Sequence, residues 1–283
     1  MTKLSLPIKS ILLLIFSVTA GCASKDSYHT VDWTAGNCGE PSDQHCSRSY
    51  YQEYLDYDLA FAEYTERGNA FNSNWIDNVL ERIRTREKEQ GVVVVTFIHG
   101  WKHNAEQSDS NLLDFKRSLS SIAGNSSSLY GRRLVGLYIG WRGANLEIPW
   151  IENLTFWDRK SVAEEVGKGG VTKLLLELDQ IDQASTNNVL VIGGHSFGGA
   201  IVVSAIAEVL AERAINRSKD GALGTSIGDA AIVLNPAIEA NQSLNLVEAA
   251  MKNPYSDSQN PLFISISSDA DLATHYTCLL YTS

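Results

Sequence analysis

Residues Asn187 to Ala200 read NNVLVIGGHSFGGA, and the reading of this stretch decides the fold. Val189 to Ile192 is an apolar run with the pattern of a buried strand. It ends in Gly193-Gly194-His195-Ser196-Phe197-Gly198-Gly199, and a second apolar run, Ala200 to Leu210, reads as a helix. Strand, G-x-S-x-G, helix is the context of a nucleophile elbow. So tight a turn holds its serine in a strained backbone conformation. Gly194 and Gly198 leave room for it, because a side chain at either position would collide with the neighbouring element. Ser196 Oγ is then held above the sheet end, at a helix N-terminus whose dipole favours developing negative charge. The plainer reading is a glycine-rich loop with a chance serine; the flanking strand and helix weigh against it.

On the N-terminal side of the elbow, Tyr57 to Thr65 alternates as a strand does, Glu66 to Asn69 is turn chemistry, and Ala70-Phe71 can begin a return strand. Ser73 or Asn74 caps a helix running to Gln90, with Trp75, Ile76, Val79, Leu80 and Ile83 on its apolar face and Gly91 closing it. Val92 to Ile98, VVVVTFI, is a central strand covered on both faces. His99-Gly100-Trp101-Lys102-His103-Asn104-Ala105 follows, then a helix from Ser108 to Ile122 and a strand from Leu134 to Ile139. Residues 144–170 are less regular and aromatic, long for a connection, and read as a lid or cap beside the site. Val171 to Ile181 is helical. Gly167 to Lys173 looks like a phosphate loop but does not fit G-x-x-x-x-G-K-[ST], so a helix start is the better reading. Beyond the elbow, strands are expected at Ala230–Leu234 and Leu262–Ile266, with a helix at Ser243–Met251. Alternating strands and helices predict an α/β domain, a mostly parallel sheet with helices on both sides.

With FIHGWKHNA and GGHSFGG each at a strand end, the chain resembles the α/β-hydrolase fold family from Tyr57 to Thr277, and within it bacterial esterase- and lipase-like members. The mechanism needs a nucleophile, a base, an acid that orients the base, and oxyanion donors. Ser196 is the expected nucleophile, and the Phe197 N–H at the helix start is one donor. The resemblance makes the Trp101 N–H the other, with Gly100 allowing close approach, and gives His99 a loop-supporting role. His195 is read as packed or hydrogen-bonded rather than as the base. The acid follows the serine in chain order. Asn235 stands at one strand end but cannot carry a charge, and Glu239 is the nearby runner-up. After Leu262–Ile266 come Asp269 and Asp271, and the spacing of SSDAD resembles the strand-end acid of many hydrolases, which selects Asp271. The bland alternative is that both aspartates cap a helix. The base is expected after one more strand, past Thr277; His275 is too close to Asp271 to leave room for a strand and a returning loop.

The 283 residues are 44% hydrophobic and 20% charged, which suits one domain with a sizeable core. A net charge of −10 without a basic cluster disfavours nucleic acid. Lys3 and Lys9 precede a short apolar run, Ile11 to Val18, and then Thr19-Ala20-Gly21-Cys22-Ala23-Ser24. This resembles the lipobox of bacterial lipoproteins, although Thr19 departs from the usual leucine. The resemblance implies a signal peptide over 1–21, lipid on Cys22, and an outer-membrane protein facing the periplasm or the surface. Ordinary secretion with cleavage near Ala20 or Ala23 is the alternative. Residues 22–56 read as tether and irregular lead-in. Outside the cytoplasm, Cys38 and Cys46 are expected to pair in a disulfide, two free thiols being the alternative, and His45 alone does not complete a metal site. Cys278 to Ser283 resembles the translation of a sequencing-library transposon end, so the last strand and its loop are expected to be missing from this copy.

The expected activity is hydrolysis of carboxylic esters, soluble or lipid, with no metal or organic cofactor; without the histidine expected past Thr277, this copy is expected to keep the elbow and oxyanion hole but show little turnover. A binding lipoprotein on a hydrolase scaffold and an acyltransferase are the alternatives. Trp101, Trp141, Trp150, Phe156 and Trp157 are candidates to line an acyl pocket or simply to pack the core.

Overall fold

The computed structural model describes residues 26–33, 38, 44–142, 156–220, 227–252 and 260–268. Within them, alternation along each strand sorts side chains onto two sheet faces. Strands β1 (Tyr51–Glu53), β2 (Tyr57–Glu63), β3 (Val92–Ile98), β4 (Arg133–Gly140), β5 (Val189–His195), β6 (Ala230–Leu234) and β7 (Phe263–Ile266) form a seven-stranded sheet in the order β1-β2-β4-β3-β5-β6-β7. Only β1 runs antiparallel; β2 through β7 are all parallel. Helices α1 (Ser73–Gln90), α2 (Ser110–Gly124), α3 (Phe156–Val166), α4 (Thr172–Gln183), α5 (Phe197–Asp220) and α6 (Leu244–Lys252) connect them. The architecture is the expected α/β class, a mostly parallel sheet with flanking helices, consistent with an α/β-hydrolase fold.

Val92, Val94 and Ile98 of β3 face one core, with Val135, Leu137 and Ile139 of β4, and α1, α4 and α5 cover them. Val93 faces the other, with Leu134 and Tyr138, under Leu112, Phe115 and Leu119 of α2. Gly136 is what lets Leu119 reach the sheet, because a Cβ there would overlap its side chain. At the strand starts, fully buried Asp58 accepts from Arg133 Nη2 at 2.6 Å, Tyr51 Oη at 2.8 Å and Arg86 Nε at 3.0 Å. One carboxylate thus ties β1, β2, β4 and α1 together, and its charge is fully paired.

Several local expectations shift. The cap of α1 is Asn72, whose Oδ1 accepts from Asn74 N, rather than Ser73 or Asn74. Gly91 ends α1 at φ 78°, as expected for a C-terminal glycine. Ala70 makes a single antiparallel bridge to Tyr64 instead of starting a strand. Residues 156–170, read as irregular, form α3 and lead into a π-helical turn, Gly167–Val171. That turn fits because Gly68 and Gly170 bring two backbones together: Gly170 N donates to Gly68 O at 2.8 Å. In the stretch read as lead-in, Tyr51–Glu53 forms the edge strand, and Cys38 and Cys46 are joined in a disulfide.

Opposite the site, three carboxylates crowd together. Asp179 is saturated by Arg213, Gln183 and Gly228 N, and Asp229 accepts from Leu190 N. Asp182 Oδ1 is buried without a hydrogen-bond partner. Burial first, then Asp229 and Asp179, push its carboxyl up from 3.8 to about 7. Between those values the folded chain holds a proton that the unfolded chain has released, so the penalty on folding grows as pH rises and is complete above about 7. Asp182→Asn is therefore expected to raise the melting temperature at pH 8 and to do little at pH 4.5, measured by thermal unfolding at both.

Candidate active site

Ser196 occupies the single position between β5 and α5, with φ of +54°. A left-handed backbone is costly for a residue with a Cβ, so neighbouring structure must enforce it. Ser196 N donates to Leu234 O at 2.9 Å, and Ser196 O accepts from Ala200 N and Ala237 N. The elbow is thereby bolted to β6. A Cβ at Gly194 would lie 2.7 Å from Gly198 C, and one at Gly198 would strike the Ile98 carbonyl oxygen. Both glycines are needed for the reason the motif gives, close backbone approach.

Three strand ends converge here. A Cβ added at Gly100, just past β3, would sit 3.3 Å from Ser196 Cβ and 3.1 Å from His195 Nδ1. Past β6, Pro236 lies against Gly199. Asn235, the position where an acid was considered, takes φ of +43° and joins β6 to β7: its N donates to Ile266 O, and its Oδ1 accepts from Ser268 N at 2.7 Å. Its side-chain oxygen thus ties two strand ends together, and asparagine is among the residues that tolerate a left-handed backbone. Glu239, the runner-up acid, is ion-paired to Lys160. Asp269, Asp271, His275, Trp150 and Cys22 lie outside the described residues, as do the side chains of Phe156 and Trp157.

The turn after β3 is built around His99, which is fully buried. Trp141 N donates to His99 Nε2 at 3.0 Å, so the ring proton is on Nδ1, which donates to Gly100 O at 2.9 Å. Trp141 Nε1 also donates, to His99 O at 2.9 Å. Gly100 and Trp101 share that peptide unit. In a trans peptide the N–H points away from the C=O, so holding the carbonyl toward His99 turns the Trp101 N–H away from it. Phe197 is buried beneath, edge-on to both Trp101 and Trp141.

Burial pushes His99 down from 6.5 to about 4. The sign follows directly. Above 6.5 the ring is neutral in both states; as pH falls from 6.5 toward 4, the unfolded chain takes a proton that the folded one refuses. Full loss amounts to ~3 kcal/mol for a shift of this size. His29, buried and also lowered, acts with the same sign. Urea unfolding between pH 7 and 4 should show stability falling with acid, and His99→Asn should flatten the slope without abolishing it.

Three histidines have both ring nitrogens engaged and are unavailable as a base. His99 is one. His103 Nδ1 donates to Asp109, the N-cap of α2, while its Nε2 receives Asn111 Nδ2 at 3.2 Å. His29 Nδ1 donates to Glu63 and its Nε2 receives Gln107 Nε2. Among the described residues, no group of His, Cys, Asp and Glu is placed to hold a metal. A groove of about 380 Å³ lies elsewhere, between α1 and the π-helical turn, lined in part by Tyr64, Ile76, Leu80 and Leu174; none of its walls comes from the elbow.

No protein-family model matches this sequence, and no curated protein matches it in sequence. Among solved structures it is similar to Trichoderma reesei cutinase in complex with a C11Y4 phosphonate inhibitor, at 15% identity and a TM-score of 0.31, over 72% of this chain and 79% of that one. So weak a likeness carries no weight beside the geometry.

Proposed function

We propose that this chain is a serine hydrolase that cleaves carboxylic esters through an acyl-enzyme on Ser196. The observation that carries the reading is a serine held at φ +54° between a strand and a helix, with Gly100 of the β3 end against its Cβ. A fold keeps a non-glycine residue in that conformation only when surrounding structure over-determines it.

In this reading Ser196 Oγ attacks the ester carbonyl and gives its proton to a histidine oriented by Asp271. The carbonyl oxygen becomes an oxyanion held by the N–H groups of Phe197 and Trp101. The same histidine protonates the departing alkoxide, then takes a proton from water as it attacks the acyl-enzyme. The His99 clamp on the Gly100 carbonyl supports Trp101 as a donor, because it fixes that peptide's orientation before substrate arrives. The engaged rings of His29, His99 and His103 take these three out of the role of base in this reading. Lipid on Cys22 would hold the enzyme at the envelope.

A fluorophosphonate probe, which phosphonylates an activated serine, tests the reading on the full-length protein, followed by p-nitrophenyl esters of graded acyl length. Covalent labelling of Ser196 with ester turnover supports it. An unlabelled protein defeats it and favours a binding protein on the same scaffold. Ester formation with an added alcohol would identify an acyltransferase.

A further inference from the structure

The loop from His99 to Asp109 carries the proposed donor Trp101, and its hydrogen bonds fall into two kinds. His103 to Asp109, Asn104 N to Asp109 Oδ2 and Glu106 N to Asn104 Oδ1 lie within the loop and set its shape. Only bonds to other elements can set where the loop sits. His99 to Trp141 is one such tie, at the loop's start. Tyr138 Oη to Asn104 O, at 3.1 Å, is a second. His103 Nε2, accepting from Asn111 Nδ2 at 3.2 Å, reaches only the helix that continues from the loop; Gln107 reaches further.

The Gln107 carboxamide is held from three separate places. Its Nε2 donates to His29 Nε2 and to Ser47 O, both at 2.9 Å, and its Oε1 accepts from Lys116 Nζ at 2.6 Å. His29 is itself immobilised. Its ring stacks on Phe61 with centroids 3.4 Å apart, and its Nδ1 donates to Glu63 Oε1 at 3.0 Å. Glu63 also accepts from Tyr28 N and His29 N at 2.9 Å. Glu63 and Ala105 then meet at Gly140, where a Cβ would lie 3.1 Å from Glu63 Cγ and 3.0 Å from Ala105 Cβ. The next residue, Trp141, grips His99. The N-terminal segment thus reaches the loop both at Gln107 and, through Glu63 and Gly140, at Ala105.

We infer that Gln107, anchored by His29 and Ser47 of the N-terminal segment, is a positioning residue that sets the His99–Asp109 loop, and with it the Trp101 N–H, against Ser196. This rests on the hydrolase reading given above. His29 and Ser47 then brace the active-site loop from the chain that precedes β1. Burying a histidine, a carboxylate and a lysine's hydrogen-bonding partner in one place is expensive unless each is satisfied, and here each is. Such fully connected networks hold a site to a fraction of an ångström, where a misplacement of about 1 Å can cost 100-fold in rate.

The test compares the parent with Gln107→Met, which keeps length and removes all three bonds, by amide hydrogen exchange and by fluorophosphonate labelling. Exchange across 100–106 is expected to quicken roughly tenfold while β3 and β5 stay protected. Labelling of Ser196 should slow roughly tenfold, and ester kcat should fall with KM nearly unchanged. His29 variants keep the test decisive should Gln107→Met not fold. Asparagine at 29 can mimic Nδ1 toward Glu63 but not the acceptor for Gln107, so His29→Asn should copy the effect. Glutamine presents an acceptor near the Nε2 position, so His29→Gln should restore protection and labelling. Unchanged exchange across 100–106 in a folded Gln107→Met or His29→Asn protein overturns the inference. A parent whose Ser196 never labels overturns the hydrolase reading and the catalytic half of this one; exchange then still decides whether Gln107 places the loop.

Discussion

Ser196→Ala is expected to abolish fluorophosphonate labelling and to lower ester hydrolysis by ~10⁴-fold or more, the scale on which removing a serine nucleophile acts. The fold should hardly register the change. The Ser196 backbone groups, not its hydroxyl, tie the elbow to Leu234, Ala200 and Ala237. Alanine carries the same Cβ as serine and bears a similar backbone cost at φ +54°. Ser196→Gly separates strain from chemistry. Without a Cβ the left-handed cost of ~1–2 kcal/mol is relieved, so this variant should be as inactive as the alanine and more stable than the parent. Urea unfolding and probe labelling on the three proteins give both readings. Labelling that persists in Ser196→Ala would place the reactive group elsewhere and end the elbow assignment. A glycine variant no more stable than the parent would mean that the serine is not held under strain.

The elbow was legible because one short stretch states its own structure: an apolar run, glycines on both sides of Ser196, then a second apolar run. β3 and β6 begin and end where their apolar runs do, since both are interior strands with neighbours on either side. β1 was not legible. A three-residue edge strand in polar sequence has no period to read, and its ties, Tyr51 to Asp58 of β2 and Glu53 to Arg86 of α1, carry no local signal. The His29–Glu63–Gln107 network was missed for the same reason: its members are 34 and 78 residues apart, and nothing local distinguishes them. The supporting role of His99 came from family resemblance. Its tautomer needed Trp141, which only the sheet brings to it.

Gly198→Ala should lower stability by ~3 kcal/mol or more, at the upper end of what overpacking a core does. The added methyl would lie 2.6 Å from the His99 carbonyl oxygen and closer still to that of Ile98. Neither can yield cheaply. Ile98 is paired on one side with Ile139 and on the other with Gly194, and His99 is clamped by Trp141. Relief requires the elbow to back away from the β3 end, which also draws Ser196 from Gly100. The fraction that folds should therefore label slowly as well. Gly124→Ala is the control. It ends α2 with nothing within 4 Å of an added Cβ, and should be neutral or stabilising by up to ~1 kcal/mol through reduced freedom of the unfolded chain. Urea midpoints of the two variants against the parent decide the matter. Were Gly198→Ala as stable as Gly124→Ala, the elbow could not be pressed against the end of β3, and the two proposed oxyanion donors would have no common site to serve.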